Sequence, residues 1–216
     1  MLTQNPGLVF AGLLIFSLGA VLFVLCTSFL KYSIVLNVLR SSIGLQQAPP
    51  TIVISAMAVM MTFQTMYPVF EAVYEIAAAD TELRALQSLG LRDAVRVVVK
   101  VATPIRSFMA RNIPGSLFRR FVLDGKLSPE TVISSIGFSD LTMLFVVSEI
   151  TSALKISIVL YMVFLLVDLT IAAALQVIGM SQLQLSGIAT PIKFLLVCSS
   201  DGIYRIIRAV SAGYLA

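Results

Sequence analysis

Five charged side chains stand inside otherwise apolar stretches: Lys31, Glu149, Lys155, Asp168 and Lys193. A charge at the centre of a bilayer costs roughly 2.5–3.5 kcal/mol on insertion scales, so such groups face protein, water or each other. Three kinds of chemistry fit them: a proton or ion relay, the lining of an aqueous conduit, or paired contacts that fix helix register in an assembly. The relay is the weakest, because the sequence contains no His and its acids are scattered. Pairing within one helix fails on geometry. Glu149 and Lys155 are six residues apart, which sets them about 240° around a helix from each other. Lys155 and Asp168 would stand about 20 Å apart along the axis. Partners must therefore lie on another helix, on another subunit, or in water. Asp201, four residues before Arg205, can pair with it on one helix face.

Other chemistry is poorly supplied. Without His the usual general base and the commonest zinc and haem ligands are missing. Cys26 and Cys198 sit in apolar runs, where a free Cys behaves as a small hydrophobe. No phosphate-cradling Gly loop, Cys cluster or nucleophile–base pair is present, so neither enzymatic activity nor a cofactor or metal is expected. Nine Lys and Arg fall between Arg84 and Lys126, against Asp93 and Asp124. Such a stretch could meet nucleic acid or anionic lipid. It lacks interleaved aromatic platforms, so a solvated helix face is the better reading and nucleic acid is not an expected partner.

The elements that must position these charges follow from composition. Hydrophobic residues make up 58% of the 216-residue chain and charged residues 12%, whereas a soluble domain carries about a quarter charged. Too few polar side chains remain to cover a globule in water, which makes this a membrane protein. Gly7 to Leu30 is uncharged and long enough to cross a bilayer as a helix. It has no basic start and is too long for a signal peptide. Helical periodicity continues to Leu39, and one helix over that length would measure about 50 Å, so it must break, tilt or project beyond the membrane. Thr51 to Phe70 is a second uncharged run, with Pro68 near its end. Residues 80–140 read as amphipathic helices: Thr103-Pro104 as a helix start, Pro114-Gly115 and Asp124-Gly125 as turns, and Ser128-Pro129-Glu130 as another start. Ile156 to Met180 is a third apolar region, interrupted only by Asp168. A polar stretch to Thr190 follows, with Pro191 opening a last helix. The expected fold is all-α: hydrophobic helices over 1–79, an amphipathic middle region over 80–140, and a C-terminal hydrophobic hairpin over 141–216 with a loop at 179–190.

Along this framework Thr27-Ser28-Phe29-Leu30-Lys31, Ile34-Val35-Leu36, Leu39-Arg40, Gly44 and Gln46-Gln47-Ala48-Pro49-Pro50 occur in order. Pro104-Ile105-Arg106-Ser107-Phe108-Met109, Ser148-Glu149 with Ala153, and Val167-Asp168-Leu169 follow. Gly179-Met180, Pro191-Ile192-Lys193 and Asp201-Gly202 complete the set. The ordered set resembles the FliP/SctR family, a core export-gate subunit of flagellar and virulence type III secretion systems. The resemblance implies a non-enzymatic subunit of a ring-shaped helical assembly in the bacterial inner membrane. That ring is a homo-oligomer, typically of five, joined by two smaller helical membrane proteins and contacting membrane lipid. Secreted proteins pass unfolded through its centre.

It also implies that Lys31, Glu149, Lys155, Asp168, Lys193 and Asp201 are buried charges or assembly contacts. The pore constriction falls at Met180, Ser181, Gln182, Leu183 and Leu185. Family members usually place further Met after Gly-Met as a deformable gasket, a role suited to that flexible side chain; here Ser181-Gln182-Leu183 follow, so Leu183 and Leu185 carry more of the seal. Family prolines are absent near Gly19 and at Thr142, Thr51 replaces an Asn, and Ile203 replaces a Trp. The excess of Lys and Arg at 84–126 would place that region in the cytoplasm by the positive-inside rule, whereas the resemblance places it on the periplasmic side. Gln46-Gln47 and the N-terminus favour the virulence branch. The alternatives are a flagellar subunit of the same family, a small transporter with Lys155 and Asp168 at its site, and a scaffold without a conduit.

Overall fold

The computed structural model describes residues 6–45, 49–79, 91–123, 136–180, 185–199 and 201–214. Among these the chain forms eight α-helices and no strand: α1 (Pro6–Cys26), α2 (Phe29–Ile43), α3 (Thr51–Ala79), α4 (Leu91–Arg111), α5 (Gly115–Leu123), α6 (Phe138–Val177), α7 (Leu185–Ser199) and α8 (Gly202–Ala212). The all-helical reading holds. α3 and α6 are each long and apolar enough to cross a membrane, and α1 with α2 forms a third, bent candidate.

The over-long first run breaks at Thr27-Ser28, where α1 and α2 meet at 74°. Thr27 turns its hydroxyl back to the Phe23 carbonyl at 2.5 Å, one of the local bonds by which Ser and Thr bend or end a helix. Three prolines act differently from their sequence signals. α3 continues past Pro68 to Ala79. Thr103-Pro104 opens no helix: α4 begins at Leu91 and runs through it, and the Thr103 hydroxyl bonds back to Val99 O at 3.0 Å instead of capping forward. Pro191 likewise lies inside α7, which starts at Leu185, so residues 185–190 are helical rather than loop. In each case propagation of an already nucleated helix outweighs the one N–H that Pro lacks. The expected turn at Asp124-Gly125 and the helix start at 128–130 lie outside the described residues.

The chain divides into two compact units, each drawn from two stretches: Met1–Leu30 with Met66–Ser148, and Lys31–Thr65 with Glu149–Ala216. In the first, Phe108 and Phe145 meet edge to face with centroids 5.8 Å apart, among buried Met109, Ile113, Ile136 and Leu144. Arg106 donates to the Ile136 carbonyl. In the second, Leu39 and Ile43 of α2, Phe164 of α6 and Val197 of α7 form one apolar cluster, flanked by Leu160 and Ile206. Two glycines end helices in that unit. Gly44 (φ +93°) and Gly179 (φ +79°) take the left-handed position of a Schellman motif: Leu45 N bonds Arg40 O at 3.3 Å, and Met180 N bonds Leu175 O at 3.0 Å. Gly44 has a second reason, since a Cβ there would lie 2.7 Å from Thr190 Oγ1.

Candidate functional site

Four of the five charges set in apolar stretches are brought together as two interhelical pairs, both in the second unit. Lys31, in the first turn of α2, lies 3.4 Å from Glu149 on α6, with side chains 5% and 2% exposed. α6 presents Glu149 on the same side as buried Ser148 and Ala153. The Lys31 ammonium also sits 3.7 Å from the centroid of the Tyr214 ring, a cation–π contact strengthened by burial. Tyr214 in turn donates its O–H to Glu149 Oε2 and stacks obliquely on Tyr32, centroids 6.2 Å apart. Tyr32 closes the cluster through a 2.6 Å hydrogen bond with Thr65 on α3. Burial first, then the neighbouring Glu149 carboxylate, push the Tyr214 phenol well above its ordinary range, so it remains a donor.

The second pair joins Lys193 of α7 to Asp168 of α6 at 2.6 Å. Lys193 also donates to the Ser42 carbonyl of α2 at 2.9 Å, so one buried ammonium ties three helices. Its partner Asp168 has a side chain 29% exposed. The remaining charges are arranged otherwise. Lys155 is exposed and has no ion-pair partner among the described residues. Asp201 is exposed just before α8 with φ 50°. Its carbonyl accepts from Arg205 N at 3.0 Å, but no salt bridge joins the two side chains, because Asp201 has left the helix before its side chain can share Arg205's face.

Around the expected constriction, Met180 is 45% exposed at the end of the Gly179 turn and Leu185 is half-buried at the start of α7. Ser181, Gln182 and Leu183 lie outside the described residues. Cys26 is buried and Cys198 exposed, both as free thiols. Among the described residues no group of three His, Cys, Asp or Glu could hold a metal. Sequence reasoning missed Tyr214, Tyr32, Thr65 and Ser42. Nothing in a phenol near the chain end or a serine carbonyl signals a role; only the fold brings them to the charges.

Chemically, the two pairs neutralise four charges where apolar helices meet and fix the angular register of α6 against α2 and α7. Removing one member would leave an uncompensated buried charge. Register fixing is the best-attested use of such pairs.

Comparison with known proteins gives a family match, the FliP family, over residues 13–210. A pathogenicity-related protein, ORF2, of Xanthomonas campestris pv. glycines is 32% identical over 196 residues, covering 87% of each chain. The flagellar biosynthetic protein FliP of Treponema denticola is 32% identical over 188 residues, 86% of this chain and 67% of that one. The hypersensitivity response secretion protein HrcR of Ralstonia nicotianae is 28% identical over 201 residues, 89% and 92%.

Proposed function

The chain belongs to the FliP family, and from that membership we propose that it builds the protein-conducting gate of a type III secretion system. It is an inner-membrane component of a secretion or flagellar export apparatus. The finer reading is a ring of about five copies, joined by two smaller helical membrane proteins and contacting lipid, through which unfolded substrates pass. The subunit performs no catalysis and binds no nucleic acid. The family match over 13–210 carries this reading. The interhelical pairs support it: Asp168, the acid a transporter would need free for substrate, is engaged by Lys193. Relatives named for pathogenicity, for flagella and for secretion all resemble the chain, at 32%, 32% and 28%, and Gln46-Gln47 favours the secretion branch.

Gly179-Met180 and Leu185 frame the constriction in this reading, with Ser181, Gln182 and Leu183 between them. Met180 seals by its flexible thioether side chain, helped by Leu183 and Leu185. Lys31, Glu149, Asp168 and Lys193 hold each subunit's helices in register, while Lys155 and Asp201 face other subunits.

Deleting the gene and restoring it in trans tests the proposal. Secretion should stop on deletion and return with the wild-type chain; continued secretion in the deletion strain would overturn it. With the ring intact, Met180→Ala should raise ion leakage across the membrane, and unchanged conductance and secretion would remove the loop from the pore.

A further inference from the structure

α3 and α6, the two unbroken candidate spans, each present an exposed apolar face that carries charge. On α3, Met60, Phe63, Tyr67 and Tyr74 recur at helical spacing, with exposed Glu71 among them and exposed Glu75 one turn further on. On α6, Leu154, Ile158, Val159 and Met162 surround exposed Lys155. Neither Glu71 nor Lys155 has an ion-pair partner among the described residues.

The charges also match in level. Between α3 and α6 the described helices α4 and α5 are not candidate spans, and stretches 80–90 and 124–135 are shorter than the roughly 20 residues a span needs. The two helices therefore cross in opposite senses. Back from Glu71 to Thr51 the apolar length of α3 is about 30 Å; forward from Lys155 to Val177 that of α6 is about 33 Å. Asp168 alone interrupts the latter, and Lys193 neutralises it. Two copies in one membrane can thus lay α3 of one antiparallel on α6 of the other. Glu71 then meets Lys155 at one edge of a hydrocarbon layer about 30 Å thick, with apolar face on apolar face below. Lipid tails would cover both rows, but anionic headgroups would repel Glu71. A second copy satisfies both charges at once.

We propose that copies of this chain join through these faces, the α3 face bearing Glu71 of one copy against the α6 face bearing Lys155 of the next. The inference rests on the ring reading above and names the surface that builds it. The two faces differ, so the contact is heterologous, and a heterologous contact repeated from copy to copy closes a ring when its rotation allows.

Tyr67 is one turn before Glu71 and Val159 one turn after Lys155, so antiparallel packing brings them to one level. The test co-expresses two differently tagged full-length forms, Tyr67→Cys and Val159→Cys, each with Cys198→Ser. Membranes are oxidised, and dimers carrying both tags are counted. A mixed dimer should form, at least tenfold more abundant than the dimer of either form alone. Glu71→Lys or Lys155→Glu, each introduced singly, should cut the mixed dimer several-fold, and both reversals together should restore it to within twofold. A missing mixed dimer, while the wild-type chain keeps a multimeric native mass in detergent, overturns the interface and leaves the ring standing. So does a double reversal no better than either single one. A wild-type chain of monomer mass overturns the ring itself and the interface with it.

Discussion

Replacing Lys31 with Met should destabilise the chain by about 3 kcal/mol, near the low end of the roughly 3–5 kcal/mol expected when one member of a buried pair is removed. Burial sets the scale, since both side chains are at most 5% exposed and Glu149 cannot recover its lost partner from water. The low end applies because Tyr214 still donates to the carboxylate, and a hydrogen bond to a charged group is worth about 1.5–3 kcal/mol. For a chain of this size each kcal/mol moves the melting midpoint by roughly 2–4 °C, so the loss should be about 6–12 °C. It can be followed in detergent by circular dichroism, which suits an all-helical protein. The sharper expectation concerns Lys31→Met/Glu149→Leu. Replacing both members of a buried pair by apolar groups is often neutral or stabilising by about 1–4 kcal/mol. Here it also removes the Glu149 acceptor from the Tyr214 hydroxyl, at about 1–3 kcal/mol. The double variant should therefore recover much of the loss, and adding Tyr214→Phe should recover the rest. A double variant as unstable as Lys31→Met, or a single loss under about 1 kcal/mol, would refute the reasoning that the pair is a buried, mutually dependent unit.

Lys193→Met should cost less than Lys31→Met in the same melting assay, about 2 kcal/mol, because its partner Asp168 keeps a side chain 29% exposed and can reach solvent. The Tyr214 phenol, held protonated in the fold, implies stability that is intact below its unfolded value of about 10 and falls as pH rises beyond it, because the unfolded chain then gives up a proton that the fold retains. Midpoints measured from pH 8 to 11 should show that fall, and Tyr214→Phe should flatten it. Gly44→Ala should destabilise by at least about 1–2 kcal/mol from left-handed backbone strain alone, plus the close approach to Thr190. Adding Thr190→Ala should relieve the steric part and leave the backbone part, again read from melting midpoints.

Much of the helical framework is legible in the sequence because long uncharged runs have few other folds available to them. The composition led to helices, and Gly7 to Leu39 was too long to remain one straight span. Local breakers were less informative. Pro68, Pro104 and Pro191 all lie inside helices, since a Pro removes one hydrogen bond while an already nucleated helix keeps the others. The charges could be recognised as needing partners on other helices, because six- and thirteen-residue separations cannot close on one helix. Which partner each would take was not legible. Lys31 finds Glu149 and Lys193 finds Asp168 through tertiary packing that no spacing encodes. Tyr214, one of six Tyr, carries no mark distinguishing it from the exposed Tyr67 or Tyr74.

The separation of the paired residues along the chain has a consequence for synthesis. Lys31 is made about 120 residues before Glu149. At the roughly 5–20 residues per second of translation, its ammonium waits about 6–24 s for a counter-ion. Asp168 precedes Lys193 by only 25 residues and waits about 1–5 s. Tyr214 follows Glu149 by 65 residues and reaches the cluster later still. The N-terminal helices must therefore stay where Lys31 can be hydrated, in the insertion machinery or at the membrane surface, until α6 emerges. The cluster that holds α2 to α6 is complete only once Tyr214 has been made, about 180 residues after Lys31.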